Sequence, residues 1–128
     1  MEVRVLLVED LWTTRALFND LFATLGGFRI VATVITEAEA ILWIQENPNA
    51  WDLGVIDLVL EQGTGMGVVA RAKSIPTAGK IVVFSSYATP GVRKHCLRLG
   101  ADAVFDKSEA SDFIRYCVEL AERENSGP

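Results

Sequence analysis

Residues 3–10 read VRVLLVED, an apolar run that ends in two adjacent carboxylates, Glu9 and Asp10. Five of the six residues from Val3 to Val8 are apolar, which is typical of a strand buried on both faces of a parallel sheet. Acidic residues after a strand can simply mark a turn, so the pair by itself indicates no function. Its meaning depends on which residues stand at the ends of the other strands.

Apolar runs of the same kind recur along the chain and alternate with stretches of helical periodicity. Strands are predicted at 3–8, 28–34, 53–57, 80–85 and 102–106. This alternation predicts an α/β fold in which five βα units, (βα)5, form a doubly wound parallel sheet with helices on both faces. The first, third and fourth strands are nearly all apolar, so we expect them at the centre of the sheet.

Helix signals occupy the segments between the predicted strands. Leu17, Leu21 and Leu25 recur at four-residue spacing and predict the first helix. Thr36 and Glu39 have the spacing of a capping box, which indicates that a second helix begins there. Further helices are predicted from about 65 to 73, from 90 to 100, and from about 108 onward. Each strand is thus followed by a helix.

The length and composition fit one globular domain. The 128 residues are 50% hydrophobic, and we assign 1–123 to the domain and 124–128 to a flexible tail or linker stub. No apolar run approaches the roughly 20 residues that span a bilayer, and the N-terminus lacks the order of a secretion signal. We therefore expect a cytoplasmic protein that does not bind membranes.

Charge and cysteine content argue against two further classes of function. The net charge is −5 and there is no basic run, so direct nucleic-acid binding by this domain is not expected. Cys96 and Cys117 lack the spacing of zinc ligands, and His95 is a single histidine, too few for a zinc site. The cysteines are therefore predicted to be free thiols, and His95 to be a solvated surface residue.

The carboxyl ends of four predicted strands carry complementary chemical groups, namely Glu9 and Asp10, Asp57, Ser85, and Lys107. In parallel sheets these ends lie at one edge, where ligands of open α/β folds bind. Clustered carboxylates raise one another's pKa and need a cation such as Mg²⁺. An ionised carboxylate can accept a phosphoryl group without a general base, and an ammonium and a hydroxyl group would stabilise the charge on the transferring oxygens.

The motifs VED, DLVLEQGTG, FSSYA and GADAVFDKS occur in this order, and from Val3 to about Glu122 the chain resembles the receiver domain of two-component response regulators, the CheY-like superfamily. The resemblance implies a flavodoxin-like fold with the strand order 2-1-3-4-5. It also implies a phosphorelay protein in which Asp57 is the phosphoacceptor, Lys107 contacts the phosphoryl oxygens and Ser85 is the switch hydroxyl.

The same resemblance implies a metal and protein partners. Asp10, Asp57 and the backbone carbonyl of Val59 would bind Mg²⁺, or alternatively Mn²⁺, with Glu9 acting through water. The phosphoryl donor would be a sensor histidine kinase or a histidine phosphotransfer protein, and the signal would pass to a downstream protein target or an appended output domain. A homodimer through the fourth helix, fifth strand and fifth helix stays open. Because such a domain catalyses only its own phosphorylation and dephosphorylation, we do not expect an enzyme.

Three positions depart from the usual pattern of that family. Ser108 follows Lys107 where the family often has proline, so the peptide bond between them is expected to be trans. Val104 stands where the family usually has its switch aromatic, and strand alternation turns the neighbouring Phe105 to the opposite face. Glu61 stands where proline is frequent. The first two departures bear on how the phosphorylated state is read out rather than on phosphorylation.

Two other functions compete with this interpretation. A pseudo-receiver would keep the fold and bind partners without phosphate, and the complete set of polar residues at the strand ends argues against it. A hydrolase or phosphatase acting through an aspartyl phosphate would need a second acid two residues after the nucleophile, where this chain has Val59. Trp12, beside the acidic pair, is expected either to pack at the rim of the site or to contact a kinase partner.

Overall fold

The structure, a computed structural model, describes residues 2–76 and 79–125. Its sheet consists of the strands β1 (Val3–Val8), β2 (Phe28–Val34), β3 (Leu53–Ile56), β4 (Lys80–Ser85) and β5 (Ala103–Asp106). The strand order is β2-β1-β3-β4-β5, and every neighbouring pair is parallel. The predicted α/β class and strand order are therefore confirmed, with the three most apolar strands at the centre.

The strands are connected by the helices α1 (Trp12–Leu25), α2 (Glu37–Glu46), α3 (Gly65–Ser74), α4 (Pro90–Leu99) and α5 (Ala110–Asn125). Three of them begin at a threonine whose hydroxyl accepts a backbone N–H of the first turn, namely Thr36, Thr64 and Thr89. The predicted start of α2 is thus confirmed. Helix α5 continues two residues past the predicted domain boundary at 123, and residues 126–128 lie outside the described residues.

The chain turns sharply between β5 and α5, where the sequence predicted that the last helix would begin at about residue 108. A 3-10 turn instead occupies Lys107–Glu109, and α5 begins at Ala110. The Asp106 carboxylate accepts the N–H of Ser108, and the Glu109 carboxylate accepts the N–H of Asp106, which is a reciprocal capping box. This pair of bonds fixes the turn that presents Lys107.

Each face of the sheet carries its own hydrophobic core, because successive strand residues point to opposite sides. On β1, Val5 and Leu7 belong to the core beneath α1 and α5, whereas Leu6 and Val8 belong to the core beneath α2, α3 and α4. The doubly wound arrangement is therefore confirmed.

The two cysteines lie in different cores. Cys96 on α4 and Cys117 on α5 are buried on opposite faces of the sheet, so they cannot approach each other, and both are free thiols as predicted. Burial raises the pKa of Cys117 to about 12, which makes it unreactive near neutral pH.

The buried face of α1 differs from the leucine pattern in the sequence. Phe18 and Phe22 are the buried residues, whereas Leu17 is 67% exposed and Leu21 and Leu25 only border the core. Phenylalanine rings offer more apolar area than leucine side chains, and Phe18 makes edge-to-face contacts with Phe84 of β4 and Phe113 of α5. The larger side chains therefore set the rotation of this helix.

The sheet register brings the carboxyl ends of the strands to one edge. Val8 pairs with Ile56, Ile56 pairs with Val83, and Ser85 pairs with Asp106. The predicted site residues lie at these positions or directly after them, so the topology alone places them in neighbouring loops.

Helix α3 begins directly against the backbone of Asp57. The N–H of Gly65 donates to the carbonyl oxygen of Leu58 at 3.0 Å. A Cβ atom at residue 65 would collide with the carbonyl oxygen of Asp57 and with the Cα of Leu58. Only glycine therefore fits at this close approach, and the GTGMG motif (63–67) forms a loop and a helix start.

Across residues 2–76 and 79–125, the helices are all too short or too polar to traverse a lipid bilayer.

Candidate functional site

A cleft of about 350 Å³ opens at the carboxyl edge of the sheet. It is formed by the loops that follow four strands, and its lining residues are Asp10, Leu11, Asp57, Val59, Leu60, Glu61, Ser86, Tyr87 and Lys107. Most of the predicted site residues are in this set or directly beside it. The sequence-based expectation that the strand ends form one site therefore agrees with the structure.

Three carboxylates meet at this cleft. Glu9, Asp10 and Asp57 each offer one oxygen, and these oxygens lie within 4.8 Å of one another. Glu9 is only 1% exposed and Asp57 only 7%. A compact set of carboxylate oxygens is the donor chemistry that Mg²⁺ and Mn²⁺ prefer, so the residues present fit a divalent cation.

Lys107 supplies the positive charge of the site. Its Nζ lies 3.3 Å from Glu9 Oε1 and 3.6 Å from Asp57 Oδ2. The lysine is about one-quarter exposed, so its ammonium joins the two buried carboxylates to the solvent-accessible cleft. The pairing of Lys107 with Glu9 was not predicted, because the sequence assigns the lysine only to phosphoryl oxygens.

The crowding of charge changes the ionisation of Glu9. Burial, and secondly the neighbouring charge of Asp57, raise the pKa of Glu9 from 4.5 to about 7. The ammonium of Lys107 and the N–H of Leu11 act in the opposite direction but do not compensate. The expected mutual effect of clustered carboxylates is therefore present at Glu9, and in the absence of a cation this carboxyl group binds a proton near neutral pH.

This shift predicts how the stability of the metal-free protein depends on pH. Because the pKa of Glu9 is higher in the folded than in the unfolded state, folding takes up a proton between about pH 4.5 and pH 7. The free energy of unfolding should therefore fall as the pH rises through this range. Glu9→Gln, which is neutral at every pH, should exceed the wild type in stability by about 2 kcal/mol at pH 8 and by little at pH 5.

Urea unfolding in EDTA at the two pH values measures this difference. Glu119→Gln, at an exposed position on α5, is the matched control and should change stability equally little at both pH values. A Glu9→Gln variant that is less stable than the wild type at pH 8 would contradict the raised pKa.

Asp10 and Asp57 are held by backbone N–H groups of the loop after β3. Asp10 Oδ2 accepts the N–H of Glu61 at 2.6 Å, and Asp57 Oδ1 accepts the N–H of Val59 at 3.4 Å. Glu61 was not predicted as a site residue. The relevant feature of the sequence is that residue 61 is not proline, because proline has no backbone N–H to donate.

Ser85 has a different setting from the cleft residues. It is fully buried at the end of β4, and its Oγ accepts the N–H of Tyr87 at 3.2 Å. The neighbouring Ser86, rather than Ser85, lines the cleft. The O–H of Ser85 can still donate a hydrogen bond. Because the side chain is buried, the segment after β4 would have to rearrange before this hydroxyl could reach a group bound in the cleft.

An arginine that the sequence did not single out connects α4 to the lysine turn. Arg93 Nη1 donates to the carbonyl oxygen of Val104 at 2.6 Å, and Nη2 donates to Glu109 Oε1 at 2.7 Å. These bonds reach both sides of Lys107. The hydrogen bond from Arg93 is the largest of the causes that lower the pKa of Glu109.

The departures in β5 have the predicted geometry. Val104 is buried in the core beneath α4, whereas Phe105 contacts Phe113 and Tyr116 of α5 on the opposite face. The described residues contain no cis peptide bond, so the bond between residues 107 and 108 is trans as expected. Phe105 therefore cannot take the place of an aromatic ring at position 104.

Apolar side chains surround the charged centre. Val59 and Tyr87 line the cleft and are more than half exposed. Trp12, at the start of α1, is 71% exposed and is not among the residues that line the cleft. His95 is exposed on α4, as predicted.

A family model, described as the response regulator receiver domain, matches residues 5–119. The chain belongs to this family. Among curated proteins, the receiver domain is 33% identical over 109 residues to the gliding motility regulatory protein of Myxococcus xanthus. The match covers 84% of this chain and 14% of that protein, so the receiver domain spans about one-seventh of the length of its relative.

Solved structures share the fold of this receiver domain. The response regulator domain of CheB from Thermotoga maritima matches with a TM-score of 0.81 at 18% identity, with 100% of both chains covered. The phosphorylated cyanobacterial phytochrome response regulator RcpA matches with a TM-score of 0.79 at 24% identity, covering 98% of this chain and 96% of that one. The CheX–CheY–BeF3–Mg²⁺ complex from Borrelia burgdorferi matches with a TM-score of 0.75 at 21% identity, covering 81% of this chain and 77% of that one.

Proposed function

We propose that this receiver domain accepts a phosphoryl group on Asp57 from a histidine kinase or a histidine phosphotransfer protein, in a reaction that requires Mg²⁺. The observation that carries the proposal is the setting of Asp57. Its carboxylate lines an open cleft beside two further carboxylates within 4.8 Å and the Lys107 ammonium at 3.6 Å. A buried carboxylate next to a cation site and a lysine is suited to receive a phosphoryl group.

The chemical step is a displacement at phosphorus. A carboxylate oxygen of Asp57 forms a bond to phosphorus while the bond from phosphorus to the imidazole nitrogen of the donor breaks. The nitrogen leaves with the bonding electron pair, and the imidazole takes up a proton from solvent. Lys107 donates hydrogen bonds to the phosphoryl oxygens, and its positive charge stabilises the negative charge that develops on them in the transition state.

The cation would be held by Asp10, Asp57 and the backbone carbonyl of Val59, with Glu9 acting through water. When bound, Mg²⁺ or Mn²⁺ supplies the positive charge that offsets the crowded carboxylates and the phosphoryl oxygens. A positive charge at this place would lower the pKa of Glu9, because it would oppose the burial and the charge of Asp57 that raise it.

A phosphoryl group on Asp57 would act on the segment after β4 and on α4. The Ser85 hydroxyl would donate to a phosphoryl oxygen, which shifts the residues that follow β4. Arg93 would transmit that shift, because it joins α4 to the backbone carbonyl of Val104 before Lys107 and to the carboxylate of Glu109 after it. The surface of α4, β5 and α5 would then bind a downstream protein, an output domain or a second copy of the chain.

On this proposal the domain, residues 1–123, is a cytoplasmic regulator and not an enzyme. It modifies itself and turns over no small-molecule substrate. Its phosphoryl donor and its target are proteins, and neither nucleic acid nor membrane is bound by this domain.

The test is the intact mass of the protein after incubation with Mg²⁺ and acetyl phosphate. We expect a gain of about 80 Da, the mass of one phosphoryl group, which EDTA added beforehand prevents. BeF3⁻ with Mg²⁺, the pair present with the Borrelia burgdorferi CheY, is the companion probe. A folded protein that gains no mass and binds no BeF3⁻ would contradict the proposal and favour a pseudo-receiver, and release of phosphate without a mass gain would favour a phosphatase.

A further inference from the structure

We infer that the backbone N–H of Glu61 is a positioning group of the metal site, which holds the Asp10 carboxylate and the loop of Val59 in place for the cation. The inference rests on the proposed Mg²⁺ site and assigns a role to a residue that was not predicted as a site residue.

The three carboxylates of the site are held in different ways. Lys107 pairs with Glu9 at 3.3 Å and with Asp57 at 3.6 Å. The hydrogen bonds that these two carboxylates accept from backbone N–H groups are long: the distance from nitrogen to oxygen is 3.4 Å in each. Asp10 instead accepts the N–H of Glu61 at 2.6 Å, the shortest of these contacts. A hydrogen bond to an ionised acceptor is among the strong ones, so this bond governs the orientation of Asp10.

The bond leaves one oxygen of Asp10 available. Oδ2 is occupied by the N–H of Glu61, so Oδ1 is the oxygen without this constraint. The carboxylate is therefore held in orientation through Oδ2, and it offers an oxygen within 4.8 Å of those of Glu9 and Asp57. Fixing a ligand before the cation arrives reduces the conformational entropy that binding must remove.

The loop that carries this N–H is itself braced. Val59 and Thr64 form an antiparallel bridge across it, and the N–H of Glu37 donates to the carbonyl oxygen of Gln62. The Glu37 carboxylate also accepts the N–H of Thr64 at 2.7 Å. Glu61 thus lies in a closed loop that is attached to α2 by hydrogen bonds. Its N–H is therefore held in a fixed position, where it can orient Asp10, 51 residues away in the chain.

The position of Val59 depends on the same bond. Val59 is two residues before Glu61, and its carbonyl is the proposed backbone ligand. The bond between Asp10 and Glu61 joins the loop after β1 to the loop after β3, so it sets the separation of the two loops that supply the ligands.

The experiment compares Glu61→Pro, which removes the N–H, with Glu61→Ala, which keeps it and removes only the side chain. Mg²⁺ affinity is measured by calorimetry at pH 8, after thermal unfolding has shown that each variant is folded. Both variants lose the side chain, and only Glu61→Pro loses the N–H, so we expect the dissociation constant of Glu61→Pro to be about tenfold larger than that of Glu61→Ala.

A measurement on the wild type does not depend on the folding of a proline variant. In the metal-free protein, the Glu61 amide should be protected from hydrogen exchange and shifted downfield in the NMR spectrum, and both properties should disappear in Asp10→Ala.

The outcomes separate this inference from the proposed function. Mg²⁺ binding by Glu61→Pro with wild-type affinity, an equal loss in Glu61→Ala, or an unprotected Glu61 amide would each overturn the inference and leave the metal site standing. A wild-type protein that binds no Mg²⁺ would overturn both.

Discussion

Asp57→Asn should accept no phosphoryl group from acetyl phosphate under conditions in which the wild type is fully modified. The amide lacks the anionic oxygen that forms the bond to phosphorus, and it contributes no charge to a cation site. Because asparagine has nearly the same shape, the fold should be retained, with the N–H of residue 57 still donating to the carbonyl oxygen of Val8. Intact mass spectrometry with Mg²⁺ present measures the result.

Asp20→Asn is the matched control for this substitution. Asp20 is exposed on α1 and does not line the cleft, so its replacement should leave phosphoryl uptake at the wild-type level. A mass gain of about 80 Da that persists in Asp57→Asn would show that another group is the acceptor, and fragmentation of the modified protein would then identify it.

Lys107→Ala should lower the rate of phosphoryl uptake about 100-fold, the usual effect of removing one group that stabilises developing charge. In the structure its Nζ bridges Glu9 and Asp57, so it is already located where phosphoryl oxygens would lie next to Asp57. Its loss also leaves the buried Glu9 without its ion pair, which should raise the pKa of that carboxyl group further. Time-resolved intact mass gives the rate.

Lys94→Ala removes the same charge from an exposed position on α4 and serves as the control. Both variants are compared at saturating Mg²⁺, so that a weaker cation site is not mistaken for a slower chemical step. If Lys107→Ala reacts within a few-fold of the wild-type rate, the lysine acts after phosphoryl transfer and not during it.

The architecture was predictable because its signals are local. Apolar runs such as that of β1 report burial on both faces, and threonine caps mark where helices begin. Carboxyl ends of parallel strands necessarily share one edge, so Glu9, Asp57 and Lys107 could be assigned to one site before their distances were known.

Other features depend on contacts that no local pattern encodes. The choice between the leucine and phenylalanine faces of α1 was decided by aromatic packing against Phe84 and Phe113. The bond from Glu61 to Asp10 joins residues far apart in the chain and involves a backbone group that every residue except proline has. The bonds of Arg93 likewise depend on how close α4 lies to β5.

The close approach of Gly65 to the backbone of Asp57 limits which sequences this site can explore. A side chain of any size at residue 65 would displace the peptide of Asp57, so we expect substitutions of this glycine to be selected against. Val59 and Tyr87, by contrast, project into solvent around the cleft and can change without moving that backbone. Substitutions can therefore accumulate at the rim of the cleft over evolutionary time while the backbone geometry of Asp57 is inherited unchanged.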